Sequence, residues 1–81
     1  MNRTAFLIAY RARLVAFYAW ASDTAKLDKF MAACTLTIST ARNEWNHDGD
    51  AVTAAWHAIG GKGKPTLKAL RSLPENENTA L

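Results

Sequence analysis

The chain has 81 residues, 49% of them apolar, three tryptophans and a net charge of +3. That length supports one small packed core and excludes a second domain, and the apolar content makes a core plausible without a metal or disulfide staple. The single cysteine, Cys34, has no partner for an internal bridge and sits in an apolar stretch, as a thiol used for packing in a reducing compartment would.

The first element expected is a helix over about 4–20. Leu7, Tyr10, Leu14, Phe17 and Ala21 fall at three- and four-residue steps and form one stripe. Ile8, Ala12, Val15 and Ala19 form a second stripe on another side, so this helix is either central or covered by a second chain. Arg11 and Arg13 interrupt the apolar run, which is therefore neither a signal-peptide core nor a membrane span. No membrane association is expected, and the cytoplasm is the default location.

"ASDT" then supplies a stop, with Ser22 or Asp23 placed to cap the next helix. That second helix is expected over about 24–45. Leu27, Met31, Cys34, Ile38, Ala41 and Trp45 step four, three, four, three, four, the spacing of a coiled-coil-like seam. Thr35, Thr37, Ile38 and Thr40 are β-branched, so tertiary packing must hold the middle of it. A strand over "CTLTIST" competes locally, but it lacks a partner strand and the seam runs through it. Joined by a short turn, the first two helices should form a long antiparallel hairpin.

"NHDGD" breaks the second helix, with Asp48 or Asp50 as the next cap. A short third helix follows over about 50–59, with Val52, Ala55, Trp56 and Ile59 on one face and Gly60 as its left-handed stop. Pro65 suits the first turn of a fourth helix running to about Leu73, which buries Leu67, Leu70 and Leu73 and ends at Pro74. The fold class expected is all-α: a compact four-helix domain over 1–74, with 75–81 a flexible polar tail.

Positive charge is concentrated around the glycine joint. Residues 60–73 carry Lys62, Lys64, Lys68 and Arg71 with no acid, whereas residues 23–59 are net acidic. With its two short helices, the joint resembles a helix-turn-helix unit. In such a unit Lys64, Thr66 and Lys68 would reach bases, and Lys62, Arg71 and Ser72 would contact phosphates. The match is imperfect. If Gly61 is the turn glycine, Leu67 and Leu70 fall where apolar residues belong, but His57 replaces the usual small alanine. If Gly60 is used, Trp56 stands there, and the turn is one or two residues long for the motif. The plainer reading is a helical hairpin with solvated lysines. A basic patch for an acidic protein or a phosphate ligand is a third.

Other chemistry is poorly represented. Glu44 and His47 have the spacing of a carboxylate-bridged metal pair, but such bundles need a second copy and more glutamates, so an ordinary capped helix end is expected and no metal or cofactor. Two histidines, no nucleophile in a recognisable setting and no paired carboxylates leave nothing for acid–base catalysis, and no enzyme is expected.

The leading expectation is a small non-enzymatic helical DNA-binding protein, a homodimeric regulator using the helix-turn-helix-like unit at residues 50–73. The alternative is a protein-interaction module or inhibitor of the phage or plasmid accessory type. It would dock a protein partner through Tyr18, Trp20, Ile8 and Val15, the aromatic and apolar surface of the hairpin. A further variant coats nucleic acid without sequence preference.

Overall fold

Asn2 begins the fold. Its side-chain Oδ1 accepts from the Ala5 N–H at 2.7 Å and caps helix α1, Arg3–Phe17. The computed structural model describes residues 1–39 and 49–74. Over them the protein is all-α: α1, a single 3-10 turn at Ala19–Ser22, α2 (Thr24–Ser39), α3 (Gly49–Ala58) and α4 (Leu67–Arg71), with no strand among the described residues. The radius of gyration, 12.1 Å, is near the roughly 12 Å of a compact chain this long.

Helix α1 stops three residues earlier than its apolar pattern predicts. Tyr18 adopts an extended backbone, φ −131° and ψ 131°, and the chain enters the 3-10 turn that carries Trp20. The turn stacks Tyr18 on Trp20 with ring centroids 6.2 Å apart, and sets Trp20 5.3 Å from Phe30 of α2. The chain of rings continues through Tyr10 to Phe6, so bulky aromatics at the hairpin tip are gathered by leaving the helix rather than by extending it. Of the two candidate caps for α2, Asp23 serves: its Oδ1 accepts from Ala25 and Lys26 N–H groups at 3.1 and 3.3 Å. The Ser22 hydroxyl turns back to the Ala19 carbonyl instead.

Tyr10 meets Phe30, and Arg11 pairs with Asp28 at 2.7 Å, so the chain reverses between α1 and α2 as the hairpin requires. The heaviest packing on α1, however, comes from α3. Phe6, Tyr10 and Leu14 of α1 meet a core that includes Ala51, Val52 and Ala55 of α3, and the two alanines permit close approach. Leu27 and Cys34 of the expected seam are buried and Met31 is half-buried. The side chain of Ile38, with Ala41 and Trp45, lies outside the described residues, as do the Glu44–His47 pair, Asp48 and the tail.

Gly60 takes φ +101°, the left-handed stop expected after α3. Its N–H bonds the His57 carbonyl, and the Gly61 N–H bonds the Trp56 carbonyl at 2.8 Å, closing a Schellman motif. Pro65 does not enter α4, in contrast to the expectation. Thr66 takes the cap, its hydroxyl accepting from Ala69 N–H at 3.1 Å, and a side-chain cap one residue after the proline moves the helix start to Leu67. Helix α4 also stops short of Leu73. Leu70 and Leu73 are nevertheless buried, and α4 packs on α2. The start of α1 is clamped to the segment after α4: Arg3 N–H donates to Pro74 O at 2.7 Å, and the Arg3 guanidinium reaches Arg71 O at 3.0 Å. No described helix is long and apolar enough to cross a membrane.

Candidate nucleic-acid interface

The connection from α3 to α4 is built on two consecutive side chains at the end of α3. The Trp56 indole Nε1–H donates to the Lys62 carbonyl at 3.1 Å. His57 Nε2 bonds the Gly63 carbonyl at 2.8 Å. A carbonyl can only accept, so that nitrogen carries the proton. Gly61 lies against the face of the indole, where an added Cβ would overlap the ring carbons. Gly63 sits at φ +66°, in the left-handed region that glycine occupies without steric cost. Three glycines in four residues therefore serve a definite shape. Gly60 terminates α3, Gly61 lets the chain pass under Trp56, and Gly63 turns it toward Thr66.

Lys62, Lys64 and Lys68 are exposed, and none of them is ion-paired among the described residues. The other members of the predicted set are differently engaged. The Thr66 hydroxyl caps α4, and the Ser72 hydroxyl donates to Lys68 O at 2.8 Å. Arg71 turns partly inward, with its Nε and Nη2 buried and without a hydrogen bond. The structure thus brings three lysines to the outside of one loop and the helix after it. The roles of Trp56 and His57 were not foreseen. In the sequence they look like a bulky residue and a misfit at a turn position, and only their contact with residues six further on reveals them.

The predicted partner-interface residues lie elsewhere. Ile8 is 66% exposed and Val15 54%, both on the face of α1 opposite the core, while Phe17 and Trp20 are exposed near the hairpin tip. Tyr18 is half-buried against Phe17 and Trp20. Arg11 and Asp28 form an exposed ion pair beside this face.

Cys34 is buried, and burial pushes its thiol up to about 11, while the hydrogen bond from Tyr10 acts in the opposite direction. That thiol is held away from the thiolate form a nucleophile needs. Among the described residues no group of three His, Cys, Asp or Glu side chains could hold a metal ion. No protein-family model, no curated protein and no solved structure matches the chain.

Proposed function

We propose that the protein binds nucleic acid through the phosphate backbone, using the α3–α4 loop and the start of α4. The observation that carries this reading is a set of three exposed lysines with no ion pair among the described residues, Lys62 and Lys64 on a loop held by Trp56 and His57 and Lys68 on α4. Phosphate contacts from lysines give affinity and position, whereas sequence is read by side chains against base edges. Helix α4 has five residues, about 7.5 Å of helix, and the Thr66 and Ser72 hydroxyls are already engaged. The geometry therefore favours binding that ignores sequence over readout by a recognition helix.

The test is fluorescence anisotropy with a random duplex over a range of salt. Three lysines on three phosphates give a log–log slope of about −2.7 per protomer. Replacing Lys62, Lys64 and Lys68 together by glutamine should remove the binding and leave the fold intact. No binding to the duplex at low salt would overturn the proposal.

A second reading rests on a separate observation. The exposed large apolar side chains among the described residues are Met1, Ile8, Val15, Phe17 and Trp20, all within the first 20 positions. Such a face suits a protein partner or a second copy of the chain. Sedimentation at tens of micromolar decides the second copy, since a monomer there rules out a homodimer of useful strength.

A further inference from the structure

The lysines are not the only donors on the loop. Both loop carbonyls with a known direction point inward: that of Lys62 to the Trp56 indole and that of Gly63 to His57. The peptide bonds are trans, since the described backbone has no cis peptide. In a trans peptide the N–H of the next residue points opposite to the carbonyl. The N–H groups of Gly63 and Lys64 must therefore point away from α3, into solvent. Among the described residues neither N–H makes a hydrogen bond, and both residues are exposed.

Two successive N–H groups turned the same way at a bend, one of them on a residue at φ +66°, offer a donor pair of the kind that holds an anion. The ammonium groups of Lys62 and Lys64 flank that pair in sequence. The orientation is imposed from behind, because the hydrogen bonds that fix the carbonyls come from the end of α3 and involve no ligand atom. Donors fixed in advance need no reorganisation when the anion arrives.

We infer that the backbone N–H groups of Gly63 and Lys64 form a seat for one phosphate group. The seat's position is set by Trp56 and His57 through the inward carbonyls of Lys62 and Gly63. This rests on the nucleic-acid reading for its natural ligand, a phosphodiester of the backbone, but its chemistry would take a free phosphate as well. The lysine side chains then supply long-range attraction, and the backbone supplies a fixed point of contact that no base can alter.

Gly63 offers a perturbation that spares the fold, since a Cβ there meets nothing within 4 Å. Valine is excluded from the left-handed region and forces the loop to another shape, whereas asparagine tolerates it. The experiment records amide NMR spectra of the full chain with inorganic phosphate and, separately, with a single-stranded oligonucleotide. Three chains are compared: the parent, Gly63→Val and Gly63→Asn. The expected result is saturable shifts centred on the Gly63 and Lys64 amides with both probes. Gly63→Val loses them and weakens oligonucleotide binding by about tenfold or more, the scale of hydrogen bonds to a charged group. Gly63→Asn keeps them.

The seat fails if the oligonucleotide binds, with the slope of about −2.1 that three lysines give on a single strand, but leaves the residue 63 and Lys64 amides unshifted in all three chains. In that case the nucleic-acid reading survives. If free phosphate seats on these amides and the oligonucleotide does not bind, the seat stands and the nucleic-acid reading falls. If neither probe shifts the two amides and no oligonucleotide binds, both fall.

Discussion

Leu14 and Val15 are neighbours on α1, both aliphatic and both on apolar stripes, yet one is 0% and the other 54% exposed. Replacing each by alanine separates the core-facing stripe from the outer one. Leu14 is enclosed by the α1–α3 core, so Leu14→Ala loses the transfer energy of its buried carbons and leaves a cavity, at a cost of about 2–5 kcal/mol. A domain of this length has only about 4–12 kcal/mol of total stability. The loss should lower Tm by at least about 8 °C, at roughly 4–8 °C for each kcal/mol. Val15→Ala removes carbons that are already half in water and replaces a β-branched residue by the best helix former, so its effect should stay within about 0.5 kcal/mol of zero. Urea unfolding followed by tryptophan fluorescence at two protein concentrations measures both changes. A Val15→Ala loss as large as that of Leu14→Ala would refute the assignment of the outer face to solvent. If that loss also grew smaller on dilution, a second copy would be covering it.

The same physics gives three other expectations. Asn2 is buried and caps α1 beside the contact between Arg3 and Pro74, so Asn2→Ala should cost about 1 kcal/mol, read from the urea midpoint; an unchanged midpoint would show the cap to be dispensable. Burial holds the Cys34 thiol at about 11, above its ordinary 9.0, so the unfolded chain ionises first as pH rises and stability should fall between about pH 9 and pH 11. A Cys34→Ser chain with an equally steep fall there would assign the effect to other groups, and native Cys34 should resist a thiol reagent at pH 8 until urea is added. Gly61→Ala puts a Cβ into the Trp56 indole, and should cost about 1–3 kcal/mol and change the tryptophan emission, whereas Gly49→Ala, with open space around it, should do neither. Equal behaviour of the two variants in thermal unfolding would mean that Gly61 does not lie against the indole.

Much of this architecture was legible in the order of residues. Period and punctuation are local: the three- and four-residue spacing of apolar side chains, Asp23 before α2 and Gly60 after α3 each act within one or two turns of chain. The all-α class and the four helices follow from them. Other features needed contacts between distant residues. Helix α1 carries two apolar stripes, and nothing local says which is buried; docking of Ala51, Val52 and Ala55 buries Tyr10 and Leu14 of the first together with Phe6, which belongs to neither, and leaves Phe17 of the first and Ile8 and Val15 of the second exposed. The early end of α1 follows from the ring contacts that Tyr18 and Trp20 make toward α2.

The candidate site divides in the same way. Its charge and its glycines are plain in "IGGKGKPTLKAL", because composition is local. Which way the loop peptides turn is decided by an indole and an imidazole at the end of α3, through hydrogen bonds to carbonyls six residues on. A sequence lists donors and acceptors without directions. Direction comes only when the folded chain satisfies one end of a peptide and so turns the other outward.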